Sequence, residues 1–237
     1  MIGYYYNAVG NTFLVVDNFK KVLSDDEKRR TVLKYVSDKD GVIFVQDHFM
    51  DYFNRDGKRA NFCGNGARTY FAYMNYKYKE ENYTFESYSG KIDGFIKDTY
   101  YVSMPPVKNK KVTVSCGIKG TFLEVGVPHF VTEGDTENID WKKYIPVREE
   151  LDSNINVYSE ISPDFLRIRT YERGVEGETG ACGSGSTATA YCYSLKNGSE
   201  TVKLRTNGGI LKVLFRENNI FLGGDVKKCS EELELQL

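Results

Sequence analysis

Cys63-Gly64-Asn65-Gly66-Ala67 recurs 119 residues later as Cys182-Gly183-Ser184-Gly185-Ser186. Two glycine-flanked turns of this kind can arise by chance, but their surroundings repeat as well. Phe53-Asn54-Arg55 returns as Tyr171-Glu172-Arg173 at a shift of 118, and Gly90-Lys91-Ile92 as Gly209-Ile210-Leu211 at 119. Upstream, the run Val9 to Val15 parallels Val125 to Val131 at 116. Four segments in one order and at nearly one spacing imply two homologous halves, related by a pseudo-two-fold axis.

Working outward from the first motif, a helix is expected from Ala67 to about Tyr78, with Tyr70, Phe71, Tyr73 and Met74 on its buried face. Phe13 to Asp17 and Val42 to Gln46 precede it as short β-branched strands. Tyr83 to Tyr88, Lys91 to Lys97 and Tyr100 to Met104 follow as a meander turning at Gly90 and Asp98. The second half repeats the order: a helix from about Ser186 to Lys196, closed by Asn197-Gly198, then strands at Val202 to Thr206, Ile210 to Arg216 and Ile220 to Leu222. Pro105-Pro106 marks the linker. The expected division is therefore 1–106, completed by a C-terminal strand at 225–237, and 107–224. Each half is of α/β composition in the α+β manner, and the many tyrosines read as strand and helix packing with wet hydroxyls.

The 237 residues carry 32 Lys+Arg against 33 Asp+Glu, a formal charge of −1, which offers no general attraction to nucleic acid or anionic lipid. The densest cationic stretches, Lys28 to Arg30 and Lys108 to Lys111, read as solvated surface. Met1-Ile2-Gly3-Tyr4-Tyr5-Tyr6 lacks the basic head and apolar core of a signal peptide, and no apolar run approaches the ~20 residues of a membrane span, so a cytoplasmic protein is expected. Five cysteines, an odd number in a chain large enough to build its own core, argue against a disulfide framework. With neither CxxC nor HExxH present, and with His48 and His129 far apart, no metal site is expected.

A CGxG turn ahead of a helix leaves backbone N–H groups unobstructed at the positive end of the helix dipole. Such an end binds a carboxylate and favours the thiolate of a cysteine placed there. Two such ends facing one cleft would grip a substrate carboxylate and set a thiol on either side of its α-carbon, which is the arrangement of a two-base racemase. No pyridoxal phosphate is implied, because no lysine has a motif context and no phosphate-binding glycine loop is present. A reading of another class is a thiol redox protein cycling a Cys63–Cys182 disulfide, although redox pairs usually sit within one CxxC. A third is a non-catalytic amino-acid-binding module, against which the retention of both cysteines argues.

The blocks Asn61-Phe62-Cys63-Gly64-Asn65-Gly66-Ala67-Arg68 and Tyr171 to Gly185 resemble the two signature blocks of the diaminopimelate epimerase family. Gly10-Asn11-Thr12-Phe13, Asn54-Arg55-Asp56-Gly57 and Pro128-His129 extend the resemblance along essentially the whole chain. It implies two similar halves, each a mostly antiparallel sheet curled around a central helix, and a cofactor-independent isomerase converting LL- to meso-diaminopimelate, a precursor of lysine and peptidoglycan. By position it implies Cys63 and Cys182 as acid and base, with Gly64, Asn65, Gly183 and Ser184 holding the reacting carboxylate. Asn11, Asn54, Asn154, Glu172 and Arg173 would contact the rest of the substrate, and His129 and Glu172 would tune the thiols. Asn154 is placed 18 residues before Glu172, with Asn156 as the alternative register.

The chain departs from the family at Val127, where an asparagine commonly precedes Pro-His and touches substrate. It is also shorter than usual, and Lys227-Lys228-Cys229-Ser230 offers no counterpart to a tyrosine some members use in forming their homodimer. Asn54, Asn154 and Arg173 suit a distal charged amino-acid end and favour diaminopimelate. Val127 favours an apolar or ring-bearing side chain, so a histidine-like substrate, as in the similar histidine racemases, is the runner-up. Arg173 also reads as an anchor of the Glu172 loop. Cys116, Cys192 and Cys229 are expected to be structural.

Overall fold

The computed structural model describes residues 1–20 and 22–236. The chain divides into two compact units, Met1–Ser103 joined by the stretch from Gly224 onward, and Met104–Gly223. Met104 falls beyond the first unit because its N–H donates to the carbonyl of Ile220 (2.8 Å).

In the first unit, β1 (Ile2–Ala8) and β2 (Asn11–Asp17) form an antiparallel hairpin. The helix α1 (Asp25–Tyr35) crosses to β3 (Gly41–Gln46), which lies parallel to β2. Then β4 (Phe49–Asn54) pairs back antiparallel with β3, and the two-residue β5 (Arg59–Ala60) leads to α2 (Gly64–Tyr78). The meander β6 (Asn82–Ser87), β7 (Gly90–Ile96) and β8 (Tyr100–Ser103) follows, with Gly90 at φ 107° making the first turn. Residues 226–228 and 233–234 return to pair antiparallel with β1. Leu237, the end of the expected 225–237 strand, lies outside the described residues.

Strands β2 and β3 are continuous apolar runs rather than alternating ones, Phe13-Leu14-Val15-Val16 and Val42-Ile43-Phe44-Val45, because both sheet faces are covered. Phe13, Val15, Ile43 and Val45 face α2 and pack with Tyr70, Phe71, Tyr73 and Met74. Leu14, Val16, Val42 and Phe44 face the other way and pack with Val32 and Val36 at α1. Strands β1, β2, β3, β4, β7 and β8 all touch α2, so the sheet curls around it.

The cationic stretch Lys28 to Arg30 needs correction. Arg29 and Arg30 are exposed, but Lys28 is buried and its Nζ meets Asp51 Oδ2 at 2.8 Å. Asp51 also accepts from Arg59 Nε at 2.8 Å, and Arg59 reaches on to Asp25. The inward row of α1 therefore includes a lysine because β4 supplies a buried carboxylate beneath it.

The second unit runs through the same pairings. After β9 (Val107–Ser115), β10 (Ile118–Val125) and β11 (Val127–Glu133) form an antiparallel hairpin. Helix α3 (Ile145–Leu151) crosses to β12 (Asn154–Ser162), parallel to β11, and β13 (Phe165–Glu172) returns antiparallel. The short β14 (Gly177–Glu178) leads to α4 (Gly183–Asn197), closed by Gly198 at φ 70°, and β15 (Thr201–Arg205), β16 (Ile210–Arg216) and β17 (Asn219–Gly224) complete the unit. β15 lies parallel to β13, as β6 does to β4. Antiparallel, parallel, antiparallel, parallel, antiparallel is the order in both units. The protein is thus a sheet-dominated α+β fold built twice.

Both central helices begin at the first glycine of the motif rather than at the residue after the second. The first-turn N–H groups need no intrahelical acceptor, so low helix propensity costs little there. Asn65 and Ser184 consequently belong to the first turns.

Candidate active site

Cys63 and Cys182 occupy the same station in their units, the N-cap of a 15-residue helix. Both have extended backbones, φ −145°, ψ 115° and φ −105°, ψ 111°. Each sulfur accepts the N–H three residues on, Gly66 N to Cys63 Sγ and Gly185 N to Cys182 Sγ, both at 3.4 Å. A thiol thus stands where serine or aspartate usually caps a helix, with the dipole's partial positive charge aimed at it. Cys63 is half-buried and Cys182 buried.

The surroundings of the two differ. In the first unit, Asn65 Nδ2 donates to Asn11 Oδ1 of β2, and Asn65 Oδ1 accepts from Arg68 Nη2 at 2.5 Å. Asn11 and Asn65 therefore hold each other, which fixes the direction of the Asn65 amide. Asn54 sits exposed at the end of β4, where its backbone N–H and carbonyl bond to Lys58 and Gly57, both at 2.9 Å.

In the second unit, Ser184 Oγ lies 3.5 Å from Cys182 Sγ. Registration of β11 with β12 sets His129 beside Asn154 and Val131 beside Asn156. Asn154 Oδ1 accepts the Arg173 N–H at 2.8 Å. Asn156 donates from Nδ2 to His129 Nδ1 (3.1 Å) and the Phe130 carbonyl (3.3 Å), and its Oδ1 accepts from Thr170 Oγ1 (3.1 Å). His129 therefore carries its proton on Nε2. Fully buried, with the Arg173 guanidinium opposing a second positive charge, its imidazole is pushed down to about 3 and stays neutral at working pH. The Arg173 guanidinium bonds to the carbonyl of Asp152 (3.1 Å) and to its carboxylate (2.6 Å), an anchoring role for its loop. Glu172 accepts from Thr179 Oγ1. Val127 is 40% exposed.

The first unit thus gathers Asn11, Cys63, Gly64 and Asn65, and the second gathers His129, Asn154, Arg173, Cys182, Gly183 and Ser184. Two residues with no assigned role belong to these clusters, Arg68 and Thr170. Arg68 stands inside the first signature block, but a buried arginine on a helix has the same sequence signal as an exposed one. Of the two asparagine registers, Asn154 lies under the Arg173 backbone and Asn156 against His129.

A family model for diaminopimelate epimerase matches residues 3–108. The diaminopimelate epimerase of Thermotoga maritima is 45% identical over 235 residues, covering 96% of this chain and 99% of that protein. That of a Hydrogenobaculum species is 33% identical over 265 residues, covering 95% of each. Among solved structures, a phenazine biosynthesis protein of the PhzF family from Bacillus anthracis shares the fold with a TM-score of 0.79 at 13% identity, over 100% of this chain and 99% of that one.

Proposed function

The chain belongs to the diaminopimelate epimerase family, and from that premise we propose that it inverts the α-carbon of diaminopimelate by passing a proton between Cys63 and Cys182. It is an isomerase acting on a small molecule. The observation that carries the thiol assignment is the shared N-cap station with the same 3.4 Å N–H···S contact in both units. One sulfur, ionised, removes the α-proton, and the other delivers its own proton to the opposite face of the flattened carbon. That chemistry requires the two sulfurs to reach one carbon from opposite sides.

The α-proton of a free amino acid is a very poor acid, so charge gathering on the carboxylate must be stabilised. First-turn N–H groups at Gly64, Asn65, Gly183 and Ser184 are assigned that task, since donors fixed in advance cost no reorganisation during reaction. Asn11, Asn54, Asn154, Glu172 and Arg173 are assigned to the rest of the substrate, and His129 and Glu172 to biasing the thiols. A cytoplasmic location suits five cysteines that are not joined in disulfides, since thiols stay reduced there. A homodimer is proposed with it, to be read by light scattering.

The test is incubation with LL-diaminopimelate in deuterated water. Deuterium enters the α-carbon, activity needs a reductant, and a pyridoxal-phosphate scavenger has no effect. Unchanged turnover in Cys63→Ser would refute the thiol assignment. A panel of L-amino acids in the same assay tests the substrate, and rapid exchange of histidine with none of diaminopimelate would replace it while keeping the mechanism.

A further inference from the structure

The duplication allows the two thiol environments to be compared position by position. The offset that carries Cys63 onto Cys182 carries Arg68 onto Thr187. Thr187 is buried and satisfied, its hydroxyl donating to the Gly183 carbonyl at 2.9 Å. Arg68 is a different object. Its side chain is fully buried, Nη2 donates to Asn65 Oδ1 at 2.5 Å, and Nε and Nη1 find no hydrogen-bond partner among the described residues. Leaving guanidinium N–H groups unpaired in the interior is costly, and such a group persists where its charge has a use.

The ionisable groups facing it are the Cys63 thiol and the Asp225 carboxylate, the latter also accepting from Thr99 Oγ1 at 3.2 Å. Burial pushes the guanidinium down only to about 10, so it remains a cation at neutral pH. The equivalent position on α4 is the uncharged Thr187, and His129 in that unit's cluster is neutral.

We propose that Arg68 is a positioning residue for the first thiol: it orients the Asn65 amide and supplies the buried positive charge that keeps the Cys63 sulfur ionised in the resting protein. The consequence is an ordered proton inventory. Cys63 rests as the base and Cys182 as the acid, so one stereoisomer meets a ready enzyme while the other requires the proton to be moved first. This rests on the acid–base assignment of Cys63 made above.

The experiment follows iodoacetamide alkylation of Cys63 and Cys182 against pH, read by peptide mass spectrometry, in the wild type, Arg68→Met and Arg68→Lys. In the wild type, Cys63 titrates at least one pH unit below an ordinary thiol at about 8.5. Arg68→Met raises that midpoint by a unit or more and lowers kcat at neutral pH at least tenfold. Arg68→Lys restores the midpoint but, lacking the Nη2 bond to Asn65, raises KM. The Cys182 profile moves in neither. A folded Arg68→Met with an unmoved Cys63 profile overturns the proposal, and so does a wild-type Cys63 titrating at or above the ordinary value, whether or not any variant folds. The underlying assignment fails separately, through Cys63→Ser retaining epimerisation.

Discussion

Equivalent glycines in the repeated motif should respond unequally to the same methyl group. A Cβ on Gly66 would lie 3.3 Å from Cys63 Cβ, 3.6 Å from its Sγ and 3.7 Å from Ile43 Cδ1, tight but tolerable contacts. A Cβ on Gly185 would lie 2.2 Å from Asn156 Oδ1, the side chain standing where the first unit has Ile43. The amide would have to retreat by roughly 1 Å to reach ordinary contact. It cannot do so freely, being wholly buried and tied to His129, Phe130 and Thr170. Losing two of those bonds without solvent to replace them costs about 2–4 kcal/mol. In the first turn of a helix the propensity gained over glycine is small in both substitutions. Gly66→Ala is therefore expected to be near neutral and Gly185→Ala to lose about 2–4 kcal/mol. Urea denaturation at matched m-values measures the difference, and equal midpoints for the two variants would refute the reasoning.

Asp51→Ala should cost about 3–5 kcal/mol in the same urea assay, because it strands the buried Lys28 ammonium and loosens Arg59; a loss under 1 kcal/mol would show that these cations escape to solvent. The imidazole of His129, held down to about 3 from an ordinary 6.5, gives a pH signature. Below 6.5 the unfolded chain takes up a proton that the folded protein refuses, so stability falls as pH drops toward 3, by at most about 1.4 kcal/mol per unit from this residue. His129→Gln should remove that part of the slope between pH 6 and 4, and an unchanged slope would mean that the imidazole titrates normally. Cys63→Ala and Cys182→Ala should each abolish epimerisation while retaining α-proton exchange from opposite stereoisomers, seen by deuterium incorporation; exchange from the same isomer in both would contradict one thiol per face.

The duplicated half was legible because CGxG makes a demand that few residues meet. A thiol at an N-cap needs unobstructed N–H groups behind it, and at Gly185 the space itself excludes a side chain. Helix α1 escaped the periodicity although Ser24-Asp25-Asp26-Glu27 spells a capping box, which the structure forms. Its inward row contains Lys28, and a hydrophobic count treats a lysine as outward whatever lies beneath it. Strand β9 was hidden differently: Val107 to Ser115 is largely exposed, so neither alternation nor apolar content announces it. Asn154 and Asn156 defeat counting for a geometric reason, since residues two apart on a strand share a face and only their neighbours tell them apart.

Residues 226–228 and 233–234 pair with the opening strand β1, and the Met1 ammonium donates to the Leu235 carbonyl 234 positions away. Cys229 N–H likewise reaches the Tyr5 carbonyl. During synthesis, β1 and β2 emerge early but β1 keeps an open edge until residues 226–234 have been made, whereas the second unit is contiguous and has all its own strands beforehand. The polypeptide's birth order therefore inverts its folding order: the half that is translated first is the last to close. An unpaired strand edge waiting that long invites foreign pairing. Overexpression losses should accordingly trace to ribosome-bound or truncated first-half fragments and be relieved by supplying the 224–237 segment in trans.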